Sequence, residues 1–394
     1  MAVILQKLGP CLAPRVVRLS RRAEIWERPG YSVKSNGLKY GSLMASMTPR
    51  DKAIKSTSKN QGCLKGVQIA ATGSYVPEVV VSNSDLTQLG CDEEWIVQRT
   101  GILERRHCPP DQATSDLAYL AGLDCLKKAG ISADELDMII VATMTPDHFT
   151  PSTAAIVQHL LGCEAVAFDL NAACSGFVYS LITASQFIKS GSCEKILVIG
   201  ADAMSRVIDP QDEKTYPLFG DAAGAALLVR DPQFISEEES SRGILANRLG
   251  TVGKLGHLIS VPGSCSRAPA TEQVVKDRQQ FLKMDGRPVF KWAVRTIPMA
   301  VNEVLEAASM NLDDIDVFLF HQANIRIIEA ALADSEIPRE KVFCNLEHYG
   351  NASAATIPLL LDEAITQNVC SLESTLLMCG FGAGLTWGSC IYQG

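Results

Sequence analysis

Short apolar runs bounded by Gly, Asp and Ser alternate along this chain with longer segments whose apolar residues recur every three or four positions. The runs read as buried strands near 136–143, 166–170, 194–200, 222–229, 315–320, 374–379 and 386–393. The periodic segments read as helices near 114–129, 174–190, 288–308 and 352–368. In the second of these, Phe177, Leu181, Ala184 and Ile188 fall on one face, and Lys189-Ser190-Gly191 supplies a cationic last turn and a glycine stop. Strands and helices in alternation predict the α/β class.

The pattern repeats itself. Leu126–Val141 matches Leu305–Phe320 at an offset of 179 residues, each being a helix end, an acidic turn and a buried strand. Nearly the same offset sets Asn351 opposite Cys174 and Gly384 near Gly224, which predicts two similar halves. The acidic, serine-rich run Ser236–Ser241 is the expected joint, dividing the chain into a leader (1–62), a first half (63–235) and a second half (236–394).

Candidate chemistry centres on Cys174, where the run Phe168–Asn171 feeds into a helix whose first turn carries a thiol. Free N–H groups and the macrodipole at a helix N-terminus favour a thiolate, and are expected to lower the thiol pKa and make it an acyl acceptor. Phe320-His321-Gln322-Ala323-Asn324 and His348–Ala355 add a histidine and Asn351 at a strand end and a helix start. A neutral imidazole and an amide are the donors a thioester carbonyl needs as it becomes an enolate.

With these three in order, the chain resembles the β-ketoacyl-acyl-carrier-protein synthase III family from about Leu64 to Gly394. Gly73–Pro77, Asp92–Ile102, Phe219–Ala225 and Gly380–Gly388 carry the likeness further. The resemblance implies a thiolase-like fold, two duplicated α/β halves in five α-β-α-β-α layers with the site between them. It implies acyl transfer from coenzyme A to Cys174, then decarboxylative condensation with malonyl-acyl-carrier-protein, with His321 and Asn351 serving the second step. Backbone N–H groups of Cys174 and Ala383 form the expected oxyanion hole; relatives often have glycine where Ala383 stands, which raises a question of backbone conformation.

By the same resemblance Trp95, Arg99 and Thr100 line a coenzyme A tunnel, with Lys214 replacing an arginine common in the family. Gly286, Phe290 and Asn324 contact the pantetheine, and Phe381 shields the thiol. Arg287, Lys291 and Arg326 are the expected carrier-protein docking residues, and Thr150 completes the acyl pocket of the partner in a homodimer. Coenzyme A enters as a substrate thioester, so no cofactor is expected. Thirteen cysteines without a C-x-x-C pair imply neither a disulfide framework nor a metal site.

Charge changes the picture at one end. Residues 1–60 hold 12 Lys/Arg against 3 Asp/Glu and seven serines, the composition of an organelle transit peptide. Plastid is the expected destination and mitochondrion the alternative. The remainder carries 24 basic and 41 acidic residues, a net charge of −17 that disfavours nucleic acid and anionic membranes as partners. Three other readings stand beside the synthase. A thiolase would use Cys379 as a second catalytic cysteine, a chalcone-synthase-like polyketide synthase would share Cys, His and Asn, and a catalytically silent protein would only bind the acyl carrier.

Overall fold

The computed structural model describes residues 62–394 apart from 235 and 237–240. The expected leader, but for Gly62, and most of the acidic joint lie outside these described residues. Two five-stranded sheets form the frame. The first runs in the order Val67–Tyr75, Asp221–Arg230, Lys195–Ala203, Met138–Ala142, Val166–Leu170. The second runs Leu64–Lys65, Gly243–Thr251, Thr386–Gln393, Thr375–Gly382, Val317–Phe320. Leu64 and Lys65 pair with Ile244 and Gly243, so they belong to the second sheet although they precede the first half's strands.

Alternation along the strands produces the layers, because successive side chains point to opposite faces. Ile140, Val198, Leu319 and Met378 face a shared central core with the helices Gly176–Lys189 and Thr356–Thr366. Ile139, Leu197 and Ile199 turn outward onto Thr114–Ala129 and Thr153–Leu161. Phe318, Phe320 and Leu377 turn outward onto Gly286–Ala308 and Ile325–Ala333. Strands buried on both faces explain the continuous apolar runs of the sequence. The result is the five-layer α-β-α-β-α thiolase-like arrangement.

The duplication survives in detail. Met138–Ala142 runs parallel to Lys195–Ala203, as Val317–Phe320 does to Thr375–Gly382. The strand Val166–Leu170 has only a remnant in the second half, a single parallel bridge between Phe318 and Val342. At the site the offset is 180 residues: Asn171, Ala172 and Ala173 correspond to Asn351, Ala352 and Ser353, and Cys174 corresponds to Ala354. The counterpart of Asn351 is therefore Asn171 and not Cys174, a correction caused by one extra residue between the matched strands and the turns.

Candidate active site

Each half ends its central strand region in a sharp turn followed by an inward helix. In the first, Ala173–Ser175 forms a 3₁₀ turn leading into Gly176–Lys189. In the second, Ser353–Ala355 does the same ahead of Thr356–Thr366. Ala173 and Ser353 both take left-handed backbone, φ 47° and 51°. The asparagine two residues earlier caps each turn, Asn171 Oδ1 accepting from Ala173 N at 3.1 Å and Asn351 Oδ1 from Ser353 N at 2.9 Å. The two turns meet, so Cys174 Sγ lies 3.6 Å from Ser353 Oγ.

Cys174 is half-buried. Its sulfur is faced by the backbone N–H groups of Cys174 itself and of Ala383, the pair expected to receive an oxyanion. Left-handed backbone in that turn falls on Gly384, φ 127°, and Ala383 is not among the positive-φ residues. A methyl at 383 therefore meets no conformational penalty. A Cβ at the neighbouring Gly382 would lie 2.7 Å from Cys174 Cβ and 3.1 Å from its Sγ.

The thiol departs from expectation. Burial pushes it up to about 12, outweighing the Ser353 hydroxyl, which lowers it, while Asp202 raises it further and the backbone N–H groups of Cys174 and Ala383 lower it. A helix N-terminus contributes about 0.3–1 kcal/mol, roughly 2 at best, and loss of water around the sulfur is the larger effect here. Cys125, Cys379 and Cys390 are pushed to about 12 by the same cause. What distinguishes Cys174 is therefore access and the converging donors, not its acidity.

His321 follows Val317–Phe320 directly, and the parallel pairing of Phe320 with Cys379 sets it beside the glycine-rich strand. Its ring is buried, packs edge-on against Phe381 with centroids 5.1 Å apart, and is anchored at Nδ1 by Thr356 Oγ1 at 2.7 Å. Nε2 has no hydrogen-bond partner among the described residues. Burial holds the imidazole down to about 3, so it is neutral at physiological pH. Asn351 is buried as well; its backbone is fixed by N–H donation to Leu218 O at 2.8 Å and acceptance from Gly220 N at 3.2 Å. Its Nδ2 has no partner among the described residues, which leaves an unused amide donor.

Of the expected tunnel residues, Trp95, Arg99 and Asn324 come together at the surface. Trp95 is 40% exposed, and the Arg99 guanidinium sits over its ring at 5.5 Å from the centroid. The Asp92 side chain caps that helix by accepting from Trp95 N at 2.6 Å. Thr100 is buried, and its hydroxyl donates to Ile96 O and accepts from Ile102 N, which closes the helix and turns it away from any ligand. Asn324 caps Ile325–Ala333 through Arg326 N and donates to Arg99 O at 3.0 Å, tying the two surface helices together. Gly286 is exposed, Phe290 is partly buried, and Phe381 is buried against His321. Lys214 is exposed on a groove of about 440 Å³ with Gln88, Leu89 and Glu213. Arg287, Lys291 and Arg326 are exposed, as is Thr150.

Two observations bear on the other readings. Cys379 packs in the outer core beside Phe318 and Phe320, facing away from Cys174. The buried Asp202, Ser353 and Thr356, which the motifs did not single out, join the site from behind. The signal for Asp202 was the 180-residue offset, which aligns it with Gly382.

Residues 168–253 match the family model described as 3-oxoacyl-[acyl-carrier-protein (ACP)] synthase III, and residues 305–393 match its C-terminal counterpart. A β-ketoacyl-[acyl-carrier-protein] synthase III of Rhodopirellula baltica is 51% identical over 343 residues, covering 84% of this chain and 99% of that protein. The crystal structure of 3-oxoacyl-[acyl-carrier-protein] synthase III from Aquifex aeolicus is 40% identical, covers 84% of this chain and all of that one, and superposes with a TM-score of 0.75. A priming β-ketosynthase of the R1128 polyketide pathway is 33% identical, covers 84% of this chain and 96% of that one, and has the same TM-score. On the strength of these matches the chain belongs to the β-ketoacyl-[acyl-carrier-protein] synthase III family.

Proposed function

We propose that the chain starts fatty acid synthesis by accepting a short acyl group from coenzyme A on Cys174 and condensing it with malonyl-acyl-carrier-protein. The observation that carries this reading is the division of donors around one sulfur. The N–H groups of Cys174 and Ala383 converge on Sγ, where a tetrahedral intermediate would form. His321, in the tautomer whose Nδ1 accepts from the Thr356 hydroxyl and whose Nε2 carries the hydrogen, and Asn351 each keep one nitrogen without a protein partner among the described residues, as donors to an enolate require. The family membership supports the two-step chemistry. Incubation with acetyl-coenzyme A, followed by intact mass and peptide mapping, should show one acetyl group on Cys174; an unmodified chain would remove the reading and favour a silent carrier-binding protein.

Docking of an acidic carrier protein on a body of net charge −17 requires a local basic patch. Arg287, Lys291 and Arg295 are exposed at i, i+4 and i+8 of Gly286–Ala308, with no ion-pair partner among the described residues. Charge reversal at Arg287 and Lys291 should raise KM for the malonyl carrier substrate and flatten its salt dependence, with acylation from coenzyme A changing less. Equal losses for both substrates would assign the pair to the tunnel or the fold.

The finer assignments have their own support. Val166–Leu170 is a sheet edge, with Val166 61% exposed, and Phe149 beside Thr150 is 89% exposed. Apolar groups on an open edge suit a second copy of the chain, and a monomeric mass by sedimentation at micromolar concentration would count against that pairing. The basic, serine-bearing leader supports delivery to the plastid stroma, which import of a reporter carrying residues 1–62 would test.

A further inference from the structure

The two turns at the centre of the molecule are related by the duplication, and they are used differently. In the second turn the N–H of Ala354, counterpart of Cys174, donates to Asp202 Oδ2 at 3.0 Å. Asp202 stands at the position that corresponds to Gly382, at the end of the matching strand. Gly200 and Gly380 show that the match is structural: a Cβ on Gly200 would meet Ala354 O at 2.3 Å, and one on Gly380 would meet Cys174 O at 3.3 Å. So a carboxylate fills the second turn in the place where the first has a glycine and an open N–H.

Asp202 also reaches toward the thiol. Its Oδ1 accepts from Thr143 Oγ1 at 2.8 Å, Met144 N at 2.8 Å, Thr145 N at 3.1 Å and Thr145 Oγ1 at 3.0 Å. The Ser353 hydroxyl stands beside this carboxyl and lowers its pKa. Burial raises the Asp202 carboxyl, while the backbone N–H groups of Ala354 and Met144 lower it; these and the N–H of Thr145 cannot turn away, and fixed donors on both oxygens favour the carboxylate over the acid. Ser353 Oγ has one hydrogen and two neighbours that would take it, Asp202 and the Cys174 sulfur. While Asp202 holds that hydrogen, the oxygen can only accept, and the Cys174 S–H donates to it.

We propose that Ser353 acts in acyl transfer as a turning donor set by Asp202: its hydrogen rests on the carboxylate while Cys174 is a thiol and turns to the sulfur as the thiol loses its proton. The acylation balances without further reagents. The Cys174 S–acyl bond forms, the thioester bond of coenzyme A breaks, and the proton released by Cys174 leaves on the coenzyme A sulfur. Asp202 keeps five other donors when Ser353 turns, so the swing leaves no bare charge. Among the described residues, the charged group that acts on the sulfur is Asp202 behind Ser353, and the buried His321 is neutral. Ser353 contacts the reacting atom, and Asp202 is a positioning residue.

The inference rests on Cys174 being the acyl acceptor, so its test begins with acetylation of the wild-type chain, whose failure would remove the proposed function itself. Ser353→Ala preserves the turn, because its counterpart Ala173 holds an alanine at nearly the same φ. Loss of one hydrogen bond to a charged group slows a step by roughly 10- to 100-fold. Ser353→Ala should therefore slow single-turnover acetylation by that factor and move the pH midpoint of iodoacetamide alkylation of Cys174 upward. Asp202→Asn, which frees the Ser353 hydrogen and removes a nearby charge, should move the midpoint downward, and the part of that shift carried by Ser353 should vanish in the double variant, leaving a smaller shift from the lost charge. An unchanged midpoint in Ser353→Ala would overturn the proposal, as would shifts of the same sign in both single variants. Should Asp202→Asn fail to fold, the Ser353→Ala profile and its acetylation rate decide alone.

Discussion

Replacing His321 or Asn351 by alanine should leave self-acetylation within a few-fold of wild type and reduce condensation by about 10²–10³, the usual consequence of losing one donor to a developing oxyanion. Cys174→Ala should abolish both steps. The geometry separates the roles: donors to the first intermediate are backbone N–H groups that these side-chain changes leave in place, whereas His321 and Asn351 offer side-chain nitrogens. Both steps are readable on one preparation, by acetyl incorporation and by ketoacyl product from pre-acetylated enzyme. If His321→Ala blocked acetylation as fully as Cys174→Ala, the assignment of His321 to the second step would be wrong.

The buried imidazole adds a pH statement to the same experiment. With a folded-state value of about 3, His321 stays neutral, so condensation should show no limb from its ionisation between about pH 5 and 8. The sign for stability follows from the same depression: the unfolded chain takes up the proton near pH 6.5 while the folded chain does not, so His321 contributes a loss of stability as pH falls from about 6.5 toward 3. His321→Gln should therefore flatten the acid side of the urea-midpoint profile. An acid limb as steep as wild type would show that other groups set it.

The alternation of apolar runs and periodic segments was enough to place most strands of the two five-stranded sheets, because strands buried on both faces leave uninterrupted apolar runs. Besides strands of two to four residues, two long strands escaped that signal for opposite reasons. Val67–Tyr75 shifts register between Ile69 and Ala71, which breaks its period. Gly243–Thr251 buries Asn247 and Arg248, so a core strand carries polar letters. At the site, Cys174 and His321 were legible because each follows an apolar run, and Asn351 because it stands at a helix start. Asp202, Ser353 and Thr356 were not. Their roles arise only when turns about 180 residues apart in sequence close on each other, and nothing local marks a carboxylate at a strand end as the filler of a distant turn. The thiol's acidity was misjudged for a related reason: a helix start is visible in sequence, whereas the exclusion of water by the second half is not.

Gly382→Ala should remove activity at the first step. The added Cβ would stand 2.7 Å from Cys174 Cβ, closer than packed atoms approach, and 3.1 Å from both its backbone nitrogen and its sulfur, a tight contact. Asp202 is nature's version of a side chain at the equivalent place: in the second turn it occupies the space in front of the Ala354 N–H and accepts its hydrogen bond. A side chain at 382 would likewise sit in front of the Cys174 N–H, where the oxyanion must form, and displace the sulfur from the Ala383 N–H. Loss of an oxyanion donor and misplacement of the nucleophile each reach about 10² in rate, so acetylation should fall by at least that factor. Overpacking typically costs about 1–3 kcal/mol, a modest drop in melting temperature for a domain of this size. Gly200→Ala is the informative comparison. Its Cβ would meet the carbonyl oxygen of Ala354 at 2.3 Å, away from the sulfur, and it should destabilise the fold more while any folded fraction still acetylates. Normal acetylation by folded Gly382→Ala would show that the space in front of Cys174 is not the oxyanion site.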